Sequence, residues 1–239
     1  MSVKALRNEN ILISGASIAG PALAYWLRRY GFSPTVVERA PTLRGGGFGV
    51  DFRGEAHMKL LRRMGILEGV RRRQTEMGEQ VVIDERGKRL VALPASFMSG
   101  EVEISRGDLS LIMYERTRET TEYIFGDSIV SLDQTADGVN VAFERGETRT
   151  FDLVVGADGL HSNTRRIVFG PESRYISFLG HYIAGFELSC NYLNLDRRGF
   201  IYNVPGKEVD ISSGRDGNRA SVKFCFASEP LEYDRHDSG

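Results

Sequence analysis

Cysteine is almost absent from this chain: Cys190 and Cys225 are the only two in 239 residues. Two thiols make no disulfide framework and no paired metal spacing. Both sit among apolar or aromatic neighbours, so each is expected to be a buried thiol, in keeping with a reducing, cytoplasmic setting. Long hydrophobic runs are lacking too. No stretch approaches the ~18 apolar residues of a membrane span, and the opening MSVKALRNEN has no apolar signal core. Neither sign of charge prevails: 31 Lys and Arg stand against 32 Asp and Glu. That balance gives no field to gather nucleic acid, and the basic triplet Arg71-Arg72-Arg73 reads as a solvated face. Internal repeats and low-complexity segments are missing as well.

What is present fits a soluble α/β chain. Hydrophobic residues make up 41% and charged residues 26%, enough for a substantial core in one large domain or two intertwined ones. The informative stretch is Asn10 to Arg39, NILISGASIAGPALAYWLRRYGFSPTVVER. Ile11-Leu12-Ile13 reads as a buried strand. Gly15-Ala16-Ser17-Ile18-Ala19-Gly20 is a glycine turn. Pro21 to Tyr30 reads as a helix with Ala22, Leu23, Trp26 and Leu27 on one face, and Gly31 stops it. Thr35-Val36-Val37 is a second strand that ends on Glu38.

Strand, glycine turn, helix, strand and acid in this order form a dinucleotide-binding βαβ unit. The first glycine lets the chain turn tightly out of the strand. A pyrophosphate then meets the N–H groups and positive dipole end of the helix. Gly20 lets helix and strand approach, and Glu38 can accept from ribose hydroxyls while its charge disfavours a 2′-phosphate. One position departs from the fingerprint: Ser17 stands where the middle glycine belongs. Its hydroxyl is small enough to leave the approach open and is itself a donor.

Further along, Gly45-Gly46-Gly47-Phe48-Gly49 forms a loop whose backbone can approach a flat ligand, or else a plain flexible connection. Gly54 to Met64 and Leu67 to Arg73 read as helices. Residues 80–93 read as a β-hairpin, Val102 to Ser105 as a strand and Asp108 to Thr120 as a helix. Short strands follow at 124–125, 128–132, 139–143 and 149–151. The apolar run ahead of Asp158-Gly159 suits a parallel strand covered on both faces, and Ser162 can cap the helix after it. From Ile176 on the chain is strand-rich. Phe178, Tyr182, Phe186 and Phe224 are expected in a core, the alternative being the lining of a substrate pocket. His57, His161 and His181 have no partner that the sequence identifies.

Four features coincide: the Gly15–Glu38 unit, Ile104-Ser105-Arg106-Gly107-Asp108-Leu109, Gly156-Ala157-Asp158-Gly159 and the strand-rich final part. Together they resemble the FAD-dependent aromatic hydroxylases, the single-component class A flavoprotein monooxygenases typified by p-hydroxybenzoate hydroxylase. Arg44, the glycine loop and Asp51 are most similar to the tetracycline-inactivating and polyketide-oxidising members.

The resemblance implies an α/β fold, a Rossmann-like FAD-binding domain interleaved with a mostly antiparallel β substrate domain. The FAD-binding part would take residues 1–79 and 98–175, and the substrate part 80–97 and 176–239. It implies that Gly15, Ser17, Ile18, Ala19 and Gly20 hold the FAD pyrophosphate and that Glu38 and Arg39 hold the adenosine ribose. Arg106 would reach the FAD from its helix start, and Asp158 would serve both FAD and NAD(P)H. Asp51 would lie near the flavin and Arg44 against the nicotinamide cofactor. Each has a plainer alternative: Arg106 a surface charge, Asp158 a turn cap, Asp51 a loop carboxylate, Arg44 a solvated cation. No catalytic base and no metal ligand is nominated.

The implied reaction uses NAD(P)H and molecular oxygen to hydroxylate a small aromatic or polyketide-like substrate. A flavin halogenase would show a Trp-x-Trp-x-Ile segment, and the one tryptophan is Trp26, inside the first helix. One departure counts against full activity: the family's second flavin motif, a Gly-Asp followed by a Pro- and glycine-rich turn, is not found after Asp158. With the fingerprint starting at residue 11, the amino terminus is expected to be intact. The polar tail from Glu232 to Gly239 is either a frayed end or a cut. The expectation is an N-terminal fragment of a hydroxylase, or a truncated product of weak or no activity that keeps partial FAD binding.

Overall fold

The computed structural model describes residues 9–233. The opening residues 1–8 and most of the polar tail lie outside that range, and with them the expectations about both ends. The chain opens with β1 (Asn10–Ser14), α1 (Ala19–Arg29), β2 (Ser33–Glu38), β3 (Gly49–Phe52), α2 (Gly54–Met64) and α3 (Leu67–Arg72). It continues through β4 (Gln80–Ile83), β5 (Arg89–Leu93), α4 (Ala95–Met98), β6 (Val102–Ser105), α5 (Arg106–Thr117), β7 (Glu122–Phe125) and β8 (Ile129–Thr135). Then come β9 (Gly138–Phe143), β10 (Arg149–Phe151), β11 (Leu153–Gly156), α6 (Asn163–Phe169), β12 (His181–Leu188), β13 (Gly199–Val204), β14 (Lys207–Ser212) and β15 (Ala220–Ala227). Two compact units share these elements. The first takes residues up to Val50, Glu55–Arg73 and Ile104–Ile176; the second takes Asp51–Gly54, Gln74–Glu103 and the residues from Ser177 on.

In the first unit a parallel sheet runs in the order β11-β1-β2-β7. Its central strands carry the apolar runs Ile11-Leu12-Ile13 and Val36-Val37, covered on both faces. Successive side chains point to opposite faces. Ile11, Ile13 and Val36 therefore meet Ala16 and Ala24, with Leu23 and Leu27 of α1 packed alongside. Leu12 and Val37 point the other way, onto Ile129, Val141, Phe143 and Phe151 of an antiparallel sheet ordered β10-β9-β8. The helix layer and the small sheet thus sandwich the parallel sheet, as a Rossmann-like unit requires.

Two sequence expectations need correction here, and a third holds in part. The fully buried residues of α1 are Gly20, Pro21, Ala24 and Tyr25, and of the stripe Ala22, Leu23, Trp26 and Leu27 it is Leu23 and Leu27 that pack, half-buried, against the core. Trp26 instead lies between two guanidinium groups, Arg63 at 4.9 Å and Arg29 at 5.6 Å from its ring centroid. That cation–π pairing lets a large ring stay half-exposed. β11 is parallel as expected, and it packs Val154 and Val155 against the clusters on the two faces of the sheet; it is the edge strand, with Leu153 45% exposed. Cys190 and Cys225 are free but only half-buried.

The second unit is built on a six-stranded sheet ordered β12-β15-β14-β13-β4-β5. All its pairs are antiparallel except β13 with β4, where Gly199 to Ile201 run parallel to Gln80 to Val82. The hairpin read at 80–93 therefore joins strands from the far end of the chain. Register puts Tyr182, Phe186, Val209, Ile211, Val222, Phe224 and Phe226 on one face. Lys223, Asp210 and Glu187 lie on the other, where Lys223 pairs with Asp210 at 3.1 Å. Among the described residues, no helix is long and apolar enough to cross a membrane.

Leu12 is fully buried between the parallel sheet and the small antiparallel sheet. Replacing Leu12 by Ala should destabilise the chain by ~2–5 kcal/mol, the range for emptying a buried leucine site. Urea unfolding followed by circular dichroism checks it, and a loss below ~1 kcal/mol would contradict the two-layer burial.

Candidate cofactor site

The site is built at the C-terminal ends of the parallel strands, where open α/β sheets receive ligands. β1 ends at Ser14 and the chain reverses through Gly15, which has φ +109°. A Cβ at Gly15 would lie 2.5 Å from the Ala157 carbonyl oxygen, and one at Gly20 would lie 1.9 Å from the Gly15 oxygen. Both positions are closed to any side chain. Helix α1 then begins without a side-chain cap at Ile18 and without an acid in its first turn. The helices α5 and α6, by contrast, are capped by Ser105 and Ser162, whose hydroxyls accept from Asp108 and Arg165 N–H groups at 3.0 Å. The start of α1 is left as a cluster of N–H groups carrying positive partial charge.

Glu38 closes this turn from the end of β2. One carboxylate oxygen accepts from Ala16 N–H and the other from Ala40 N–H, each at 2.9 Å. On the opposite side, Arg106 is the first residue of α5. Its Nε and Nη2 donate to Ser17 Oγ at 3.3 and 3.2 Å, and Ser17 Oγ lies 3.4 Å from Ser110 Oγ. The glycine loop lies across the start of the same helix. Gly107 N–H donates to Gly46 O at 2.8 Å and Arg106 N–H to Phe48 O at 3.1 Å. A Cβ on Gly107 would come within 2.6 Å of Gly46 N, so the glycines serve this close approach of loop to helix.

Gly15, Ser17, Ile18, Ala19, Gly20, Glu38 and Arg106 are thus gathered in one place in the first unit. Asp158 joins them from β11: its Oδ2 accepts from Ser14 Oγ at 3.3 Å and from Thr164 N and Oγ1 at 2.9 Å, and its Oδ1 accepts from Ser162 Oγ. Both oxygens are engaged inside the fold, where they hold the start of α6. Arg39 and Arg44 are exposed. Asp51 belongs to the second unit, where it accepts from Gly100 N–H at 2.9 Å and from Arg53 at 3.1 Å. Of the histidines, His161 Nδ1 lies 2.9 Å from Glu172 and His181 Nδ1 lies 3.2 Å from Leu179 O. Ser110 was not among the residues expected from sequence. Its one signal is a hydroxyl one turn after Arg106 in a helix otherwise filled with Leu109, Leu111, Ile112 and Met113.

The aromatic residues of the second unit are not core. Phe178, Phe186 and Phe224 are 41%, 52% and 40% exposed. Cross-strand register puts Phe186 and Phe224 on one face, with ring centroids 6.1 Å apart. Tyr182 stacks on Phe226 at 5.8 Å and meets Phe178 at 5.0 Å.

Burial alone would raise the pKa of Asp158. Hydrogen bonds from the Ser162 hydroxyl and from Thr164 outweigh it and hold the carboxyl below the usual aspartate range. A depressed folded pKa contributes stability above the ordinary aspartate pKa of ~3.9 and loses it as pH falls through the folded value. Asp158→Asn should therefore lower stability at pH 7 by about 1 kcal/mol, with the gap to wild type closing on acidification. Urea titrations at both pH values measure this, and a gap that persists in acid would refute it.

A family model described as "FAD binding domain" matches residues 8–173. A flavin-dependent monooxygenase from an unknown prokaryotic organism is 41% identical over 224 residues, covering 92% of this chain and 57% of that protein. An uncharacterised protein of Mycobacterium tuberculosis is 39% identical over 236 residues, covering 96% of this chain and 63% of its own length. Among solved structures, the tetracycline destructase Tet(55) superposes with a TM-score of 0.86 at 38% identity, over 97% of this chain and 59% of that one. The chain thus spans between 57% and 63% of these relatives' lengths. With its glycine turn, its acid and its uncapped helix start inside the matched segment, the chain belongs to the FAD-binding domain family.

Proposed function

We propose that the protein is a FAD-dependent monooxygenase that uses NAD(P)H and O2 to hydroxylate an aromatic or polyketide-like small molecule. The observation that carries this reading is the uncapped start of α1, faced by the Arg106 guanidinium on one side and the Glu38 carboxylate on the other. The turn between them suits a pyrophosphate. Its Gly15 and Gly20 positions admit no side chain, and the N–H groups of Ile18, Ala19 and Gly20 supply a favourable dipole. Arg106 adds a full positive charge and a planar fork matched to phosphate oxygens. Glu38 already holds two backbone donors, and the carboxylate has lone pairs left for ribose hydroxyls.

When bound, FAD supplies the redox chemistry, accepting hydride from NAD(P)H and activating oxygen for transfer to a substrate carbon. The chain's own groups bind, orient and shield. For the substrate class, support comes from the two tetracycline destructases at 36% and 38% identity, which are named for a polycyclic antibiotic. The half-exposed rings of Phe186, Phe224 and Tyr182 also suit a flat ligand. Arg39 at the ribose, Arg44 at the nicotinamide and Asp51 near the flavin complete the proposed set.

A second reading is favoured by one fact, that the chain spans about three-fifths of its relatives' lengths. It makes residues 1–239 a weakly active or inactive form that keeps partial FAD binding. The two separate on one preparation. The first expects a yellow protein whose NAD(P)H oxidation is stimulated by an aromatic substrate; the second expects loose flavin and no stimulation. Under either, Glu38→Gln should raise the FAD Kd about tenfold, as for a lost hydrogen bond to a charged group, measured by quenching of flavin fluorescence. An unchanged Kd would remove Glu38 from the ribose.

A further inference from the structure

Ser17 is the one residue of the glycine turn that departs from the dinucleotide fingerprint, and it is also the residue that Arg106 holds. The guanidinium is exposed, yet its stem is confined. A Cβ built on Gly47 would lie 3.3 to 3.9 Å from Arg106 Cβ, Cδ and Cγ, so the stem runs along the bare backbone of the glycine loop. At its far end, Nε and Nη2 both donate to Ser17 Oγ. An arginine has five N–H donors in a fixed fork, and the rest remain for an anion. Ser17 Oγ is held in turn by the hydroxyl of Ser110 at 3.4 Å. Ser110 is 4% exposed and sits one helical turn after Arg106, on the same face of α5. A hydroxyl buried there has no packing advantage over alanine and would go unsatisfied without a partner.

We propose that Ser110, acting through Ser17, positions Arg106 over the β1–α1 turn, so that the serine at the middle of the fingerprint is the anchor of the phosphate-binding cation. The proposal rests on the reading that this turn holds the FAD pyrophosphate. It makes Ser17 and Ser110 positioning residues. A glycine at position 17 would leave the Arg106 side chain free to rotate, and ordering it again would oppose binding.

The test is a set of FAD affinities from flavin fluorescence quenching, on chains whose melting curves confirm folding. Ser17→Gly restores the consensus fingerprint and is nonetheless expected to weaken FAD binding about tenfold. Ser110→Ala is expected to weaken it about threefold, and Ser110→Thr, which keeps the hydroxyl, to stay near wild type. In an Arg106→Met background, neither serine substitution should change the Kd further. Binding by Ser17→Gly as tight as wild type, or full losses that persist in the Arg106→Met background, would overturn the proposal. A second measurement does not depend on flavin: hydrogen exchange at Arg106 Nε–H, read by NMR. Protection present in wild type and lost in both Ser17→Gly and Ser110→Ala supports the anchor, and protection unchanged in the variants overturns it. Failure of the wild type to bind FAD at all would instead sink the cofactor reading and leave the exchange result to decide the anchor.

Discussion

The first unit depends on a single close crossing. Helix α1 passes so near the end of β1 that a methyl group at position 20 would sit within 1.9 Å of the Gly15 oxygen. Everything nearby follows from keeping that approach. It lets Ala24 and Leu23 reach Ile11 and Ile13, which seals one side of the parallel sheet. It aims the uncapped N–H groups of α1 at the space above the strand ends. It also brings the turn within reach of α5, so that Ser17 and Arg106 meet. A wider crossing would loosen the core and disperse the charges together, and fold and site therefore share one constraint.

The parts of this arrangement that were legible in the sequence are those governed by local chemistry. The β1–α1–β2 unit could be read because an apolar run, two glycines and an acid occur at fixed spacing. The helix start at Ser162 could be read because serine is a preferred N-cap residue, whereas α5 reads only from Asp108, and its start at Arg106, capped by Ser105, does not show. What escaped was set by neighbours distant in the chain. Trp26 groups with Leu23 and Leu27 in the sequence because it looks like core, whereas Arg29 and Arg63 stack on it at the surface. β11 reads as covered on both faces, and Val154 and Val155 do pack on opposite sides, but nothing in a strand's own composition says that it lies at an edge. Phe186 and Phe224 looked like core for the same reason: alternation marks a face, not what covers it.

Asp158 illustrates how a fingerprint residue can act through the scaffold. Its two oxygens take hydrogen bonds from Ser14, Ser162 and Thr164, tying the end of β1, the Asp-Gly turn and the start of α6 to one carboxylate. Glu38 does the same for the turn after β1 and the residues after β2. The two acids stand at or just past the ends of the strands that flank β1, Glu38 closing β2 and Asp158 two residues beyond β11, and each holds a loop at the strand ends. Hydrogen bonds from backbone N–H groups to these two carboxylates tie the loops to the strand ends.

The parallel pairing of β13 with β4 carries a consequence for biosynthesis. Gln80 leaves the ribosome long before Gly199, its partner in the ladder. At ~5–20 residues per second the wait is on the order of ten seconds, during which the β4–β5 hairpin has an open edge. Contacts this distant in the chain also slow folding, because loop closure must precede any gain. The hairpin's protection over that interval lies in its own turn, where Asp84 accepts from Arg86 and Lys88 N–H groups at 2.9 and 2.8 Å, and in Arg89 beside it. Charges so placed disfavour pairing with a stray strand. A nascent chain stalled or released before β13 would carry this hairpin as an unpaired, partly apolar ribbon.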